Sequence, residues 1–130
     1  MLIYKILNCS SKNKVFYLNN FGNHTRDFTY IDDAIKMIKK IITINLKSKN
    51  HIYNICNSSS VKITYFLKLL KDNKINPKII KRGFQKGDIK DALGSNKRVK
   101  NELKNKKFTN FEAGLKKTLI WYQNNKNIFL

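Results

Sequence analysis

The residues best suited to chemistry in this chain are few and stand in separate places. Arg26 heads a run in which charged and aromatic residues alternate, Arg26-Asp27-Phe28-Thr29-Tyr30-Ile31, followed by Asp32 and Asp33 where a helix should begin. A guanidinium fixed on a strand can offer a planar, two-pronged cation to a phosphate. Taken alone, the plainer reading prevails: a surface arginine with its stem laid over apolar neighbours. The second feature is Phe84-Gln85-Lys86-Gly87-Asp88-Ile89. Its plain reading is a turn in which Gly87 supplies the positive φ. Its functional reading has Asp88 accept from a ribose hydroxyl, while Gln85 offers a donor and an acceptor to the same ligand.

Two further constellations read as incidental. Tyr122 and Lys126 stand at Y-x-x-x-K spacing, which places them on one helical face, where a lysine can lower a tyrosine pKa. They follow Trp121 near the end of a lysine-rich chain with no cofactor site beside them, so the match reads as chance. Cys9, Cys56, His24 and His51 fit none of the usual zinc spacings. The two cysteines read as reduced thiols of a cytoplasmic protein.

The elements that must position these groups alternate between strand and helix, which predicts the α/β class. Met1–Leu7 reads as the end of a helix without a cap. Val15–Leu18 reads as a strand, Phe21-Gly22-Asn23 as its turn, and residues 26–31 as a second strand. Asp32 or Asp33 is expected to cap a helix whose Ala34, Ile35, Met37, Ile38, Ile41 and Ile42 share one face. His51–Cys56 reads as a buried strand, with Asn54 hydrogen-bonded at its edge. Thr64 is expected to cap a helix over 65–71, Lys78–Lys81 to form a strand, and a short helix to follow Ser95. Thr109-x-x-Glu112 reads as the capping box of a last helix.

The 130 residues, 42% hydrophobic with six tyrosines and eight phenylalanines, predict one domain with a real core. No run is long enough to span a bilayer, and the polar stretch 8–14 after the apolar start argues against a signal peptide. The formal charge of +19 would suggest nucleic acid or an anionic surface. All but three of the 27 basic residues are lysines, however, scattered through every segment of a chain equally rich in Asn and Ile. Biased A/T-rich coding accounts for all three excesses, and no specific nucleic acid is expected as partner.

In order, the chain carries R-D-F-T-Y-I-D-D (26–33), Y-N-I-C-N-S-S-S-V (53–61), Q-K-G-D-I (85–89), and a final helix bearing Gly114-Leu115 and Trp121-Tyr122. This ordered set resembles the C-terminal part of NAD-dependent nucleotide-sugar epimerases and dehydratases, within the extended short-chain dehydrogenase/reductase family. It is most similar to the UDP-glucuronate 4-epimerases of surface polysaccharide synthesis. The resemblance covers nearly the whole chain. It implies a small mixed domain of short strands and four to five helices over residues 1–130, the substrate-binding portion without the Rossmann NAD-binding half. It also implies roles: Arg26 on the diphosphate of a UDP-sugar, Asp88 on the uridine ribose with Gln85 beside it, and main chain around Leu18 paired with uracil. The family usually has Gly at the place of Cys56, and Pro at the places of Ser60 and Lys107. Cys56 therefore adds a side chain where the strand usually turns close to its neighbours.

The resemblance implies catalytic parts that lie upstream in the family: a Gly-rich turn for NAD and a Ser/Thr with Tyr-x-x-x-Lys. The five glycines here, at 22, 83, 87, 94 and 114, are too far apart for a phosphate cradle. The expectation is a truncated or separately encoded UDP-sugar-binding chain, cytoplasmic, binding no cofactor by itself, inactive alone, and served by a separate N-terminal Rossmann chain. Two alternatives stand beside it. One is a non-enzymatic basic module for polyanions. The other is a decayed gene fragment, which would fold poorly and expose apolar strand edges.

Overall fold

The computed structural model describes residues 2–44, 51–104 and 107–125. Along the chain run α1 (Leu2–Ser11), β1 (Val15–Leu18), β2 (Thr25–Asp27), α2 (Ile31–Thr43), β3 (Ser60–Lys62), α3 (Ile63–Asp72), β4 (Lys78–Lys81), α4 (Lys97–Glu102) and α5 (Phe111–Asn124). Among the described residues, five helices and short strands make the mixed α/β domain that the alternation predicts.

Two small sheets set the frame. β1 pairs in parallel with β4, Val15 opposite Lys78 through Leu18 opposite Lys81. A parallel pair needs a crossover, and α2, β3 and α3 supply it. β2 pairs antiparallel with β3, placing Arg26 opposite Val61. The segment after β4 returns along the other side of β2: Thr25 N–H donates to Lys90 O (3.0 Å) and Thr25 O accepts from Ala92 N–H (3.3 Å). Arg26 thus sits in the middle of a three-segment patch.

The main core gathers Ile6 and Leu7 of α1, Val61 of β3, Phe66 and Leu70 of α3, and Phe111, Leu115, Leu119 and Tyr122 of α5. Phe28 joins from the edge, its ring 4.9 Å from Phe111 and 5.8 Å from Phe66. Buried Tyr122 donates its hydroxyl to Leu7 O at 2.9 Å, which ties α5 to α1. That phenol is core furniture; its partner in the Y-x-x-x-K match, Lys126, lies outside the described residues. A second cluster, Met37 with Val99 and Leu103, joins α2 to α4.

Several local expectations are corrected. The first helix runs on through the polar stretch to Ser11, and Met1 lies outside the described residues. The second strand stops at Asp27, and Ile31 already opens α2. Neither Asp32 nor Asp33 caps α2. Extended Tyr30 precedes it with no side-chain cap, and Asp33 instead accepts from the backbone N–H of Thr109 at 2.6 Å. Thr64 lies inside α3, whose N-cap position is Lys62. The cap of α5 is Asn110, which accepts from Ala113 N–H at 2.8 Å, so Thr109 stands one residue too early. Residues 51–56 form no strand. Two of their carbonyls find side chains instead: Cys56 O accepts from Asn96 Nδ2 (2.9 Å) and Ile52 O from Arg98 Nη1 (3.2 Å). The apolar residues of α2 do share one broad face, as expected, but only part of it is covered: Met37 is buried, while Ile35, Ile38 and Ile42 are exposed.

Candidate functional site

β1 ends in the expected turn around Phe21-Gly22-Asn23, but the reversal begins a residue earlier and is left-handed. Asn20, Phe21 and Gly22 all take positive φ, at 47, 52 and 83°. Gly22 is required twice over, because a Cβ there would also lie 2.9 Å from Leu18 Cδ2. The reversal is pinned to the chain after β4 by Asn20 N–H on Gly83 O (3.1 Å) and Phe21 N–H on Arg82 O (2.9 Å). It turns Asn19 toward the Gln85–Asp88 turn. There Gly87 has φ 87° and Asp88 N–H donates to Gln85 O at 3.0 Å, the tight turn expected of Lys-Gly-Asp.

Asp88 is the hub. Its Oδ1 lies 3.6 Å from Arg26 Nη2, and its Oδ2 accepts from Asn19 Nδ2 at 3.3 Å. The same Asn19 amide donates to Gln85 Oε1 at 2.8 Å. Arg26 is steadied from behind, with Nη1 donating to Thr25 O (2.7 Å) and Lys90 O (3.2 Å). Arg26 and Asp88 are each about a quarter exposed, 27% and 26%, so both are held by the protein and open to solvent.

His24 completes the group. Its side chain is only 6% exposed, and Nε2 points at Asp88 Oδ2 from 3.7 Å, beyond hydrogen-bond reach. Nε2 has no hydrogen-bond partner among the described residues. A buried donor or acceptor left in this way is costly, and sites that bind a ligand tolerate such a cost.

The structure thus brings Arg26, Asp88 and Gln85 to one place. Leu18 stands just before Asn19, but its side chain is buried and its carbonyl accepts from Arg82 N–H at 2.8 Å. Asn19 and His24 are the members that sequence reasoning missed. His24 was findable: two residues before Arg26 on an extended segment, it falls on the same side. Asn19 had no comparable signal, because only the left-handed reversal aims it.

The remaining residues of the Arg26–Asp33 stretch build rather than bind. Asp27 accepts from three backbone N–H groups, those of Asn57 (3.2 Å), Ser58 (3.0 Å) and Gly94 (3.1 Å). Gly94 also makes room for Cys56: a Cβ at 94 would lie 2.5 Å from Cys56 Sγ. A second polar cluster ties the segment at 51–53 to α4. Glu102 accepts from Tyr53 Oη (2.5 Å) and from Arg98 Nε (2.8 Å), and Arg98 Nη1 reaches Ile52 O at 3.2 Å. The Tyr53 hydrogen bond, then that of Arg98, holds the Glu102 carboxyl below its ordinary range. A surface depression of about 560 Å³ bordered by Tyr65, Phe108 and Glu112 includes none of the Arg26–Asp88 group. No helix among the described residues is long and apolar enough to cross a membrane.

No protein-family profile matches the chain. The protein MJ1055 of Methanocaldococcus jannaschii is 33% identical over 113 residues, covering 85% of this chain and 34% of that protein. UDP-glucuronate 4-epimerase 4 of Arabidopsis thaliana is 28% identical over 122 residues, covering 83% of this chain and 28% of that one. The chain therefore spans about a third of the length of these relatives. Among solved structures, MoeE5 in complex with UDP-glucuronic acid and NAD superposes with a TM-score of 0.85 at 16% identity, over 95% of this chain and 42% of that one. The fold is thus that of part of an epimerase-type structure, and the sequence resembles nucleotide-sugar epimerases over part of their length.

Proposed function

We propose that this chain is the nucleotide-sugar-binding portion of an NAD-dependent epimerase of the UDP-glucuronate 4-epimerase kind, a cytoplasmic enzyme of surface polysaccharide synthesis, with residues 1–130 forming its substrate domain. The observation that carries the reading is the meeting of Arg26 with Asp88 at 3.6 Å, with Asn19 and His24 converging on the same carboxylate. A planar cation beside an acceptor is what a nucleoside diphosphate asks for: one group for the phosphates, one for the ribose diol. In this reading Arg26 turns its Nη2 edge from Asp88 to the diphosphate. Asp88 then accepts from the ribose hydroxyls, and Asn19 holds Gln85 alongside. The carbonyl of Leu18 is engaged by Arg82, so uracil is read by main chain next to it, at Tyr17 or Asn19.

NAD, the hydride acceptor of such an enzyme, does not fit the residues present. Where a Cβ would stand at Gly22, Gly94 and Gly114, the space is filled by Leu18, Cys56 and Tyr30. Gly83 and Gly87 border open space, but they lie before and within a turn rather than at a helix N-terminus. The oxidation and reduction of the sugar therefore belong to residues outside these 130, in line with relatives about three times as long. The arginines give no support to a polyanion-binding patch: Arg82 lies over the Tyr17 ring at 3.5 Å and Arg98 pairs with Glu102.

Binding of UDP and of uridine, followed by NMR titration of the 130-residue chain, tests this. Asp88→Ala should weaken both by the same factor, roughly 10- to 150-fold for about 1.5–3 kcal/mol of charge-assisted hydrogen bonding. UDP binding indifferent to Asp88→Ala would remove the ribose contact. The chain supplied with NAD should not turn over UDP-glucuronate, and measurable epimerisation would overturn the division of labour.

A further inference from the structure

Helix α2 carries two apolar rows. Met37, with half-buried Ile41, packs on Val99 and Leu103. The other row, Ile31, Ile35, Ile38 and Ile42, is 61, 44, 49 and 77% exposed. Steps of four, three and four residues hold these side chains on one stripe over about 16 Å of helix. A lone exposed isoleucine needs no explanation, but an unbroken row of four does. Helix propensity does not supply one, since β-branched residues are indifferent helix formers. Half-buried Ala34 and Ile41 lie between this row and Met37, so whatever covers the row would extend the existing core.

This fold superposes over 95% of its length on 42% of a chain more than twice as long, so in that setting it is one part of a larger body. A second copy of this chain suits the row poorly. The flank of the row away from the core carries Lys36 and Lys39 beside the single carboxylate of Asp32, and each copy has a formal charge of +19, so self-docking would set like charges together.

We propose that the Ile31–Ile35–Ile38–Ile42 row is the seam on which the remaining portion of an epimerase-type fold packs. That portion presents an apolar face bordered by carboxylates that meet Lys36 and Lys39. The inference rests on the functional reading above, but it concerns a surface well apart in sequence from Asp88 and can fail independently of it.

The probe is MJ1055 of Methanocaldococcus jannaschii lacking the segment that matches this chain, co-expressed with the 130-residue chain. The two should co-elute as a one-to-one complex. Ile35→Lys with Ile38→Lys should abolish it, while Ile120→Lys, at another exposed isoleucine on α5, should not. Should the probe fold poorly, a chimera of MJ1055 carrying this chain in place of its matching segment gives a second measurement. There the lysine pair should lower the melting temperature of the chimera by more than that of the isolated chain. Complex formation indifferent to the lysine pair, equal melting shifts in chimera and isolated chain, or a wild-type homodimer that the pair converts to monomer would each overturn the proposal. UDP titration of the isolated double variant separates the two ideas. Affinity unchanged from wild type is expected; loss of UDP binding in both proteins speaks against the nucleotide site and not against the seam.

Discussion

Replacing Arg26 by alanine should separate phosphate recognition from ribose recognition. Within the protein the Arg26–Asp88 pair spans 3.6 Å, with both side chains about a quarter exposed. Solvent screening keeps such a pair within ~1 kcal/mol, so the fold survives the change. The same bound limits the indirect effect on Asp88, and therefore on uridine affinity, to about fivefold. Direct loss is larger for UDP. Hydrogen bonds from a guanidinium to a diphosphate contribute about 1.5–3 kcal/mol, which raises the UDP dissociation constant roughly 10- to 150-fold. Arg26→Lys should fall between, because it keeps the charge and loses the planar fork that Thr25 O and Lys90 O hold in place. The assay is paired calorimetric or NMR titration with UDP and uridine at fixed salt. Equal losses for the two ligands would show that Arg26 acts only through Asp88. Unchanged UDP affinity would remove it from the site.

Two further predictions concern the scaffold around that site. Gly94→Ala drives a Cβ to 2.5 Å from Cys56 Sγ and should cost about 1–3 kcal/mol by overpacking, read as a lower denaturation midpoint. Adding Cys56→Gly should restore most of it, and additive losses in the double variant would refute the steric account. Glu102 has a folded-state pKa below its ordinary value, so its contribution is present above the usual carboxylate range and fades as pH falls through that range and below. Glu102→Gln should therefore flatten the acid limb of the stability profile below about pH 4, and a limb of unchanged shape would show that the Tyr53–Arg98–Glu102 cluster contributes nothing.

Strands β1 and β4 were legible because short apolar runs between polar turns report directly on backbone state, and the short helix expected after Ser95 formed over Lys97–Glu102. Helix ends were not legible. Asp32, Asp33, Thr64 and Thr109 all have the residue types of caps, yet α2, α3 and α5 begin after Tyr30, Lys62 and Asn110. A capping oxygen can equally be claimed by tertiary partners, as Asp33 is by Thr109 N–H. The apparent strand at 51–56 failed for a related reason. Its alternation is real, since Tyr53 and Ile55 pack on the second cluster, but the carbonyls of Ile52 and Cys56 accept from the side chains of Arg98 and Asn96 rather than from a neighbouring strand. In the candidate site, Arg26, Gln85 and Asp88 were singled out by the ordered family resemblance, since charge and turn chemistry alone favoured a surface arginine and an ordinary turn. Asn19 was hidden, because three successive residues with positive φ aim it and no propensity argument foresees Phe21 in that state.

The Arg26–Asp33 stretch is consequently a different kind of marker from what its charges suggest. Asp27 gathers three backbone N–H groups from two distant segments, Asp33 holds the chain entering α5, and Phe28 stacks into the core. These residues are required by the fold whatever the ligand. Their presence therefore argues for architecture, and the argument for a nucleotide rests on residues the fold does not need. Arg26 could point to solvent without disturbing the β2–β3 pairing, and Asp88 could close its turn through the backbone bond to Gln85 alone. Both are instead drawn together, beside a buried imidazole whose Nε2 has no hydrogen-bond partner among the described residues. Polar groups gathered beyond what folding demands, with one of them left unsatisfied, are best accounted for by a polar ligand that completes the set.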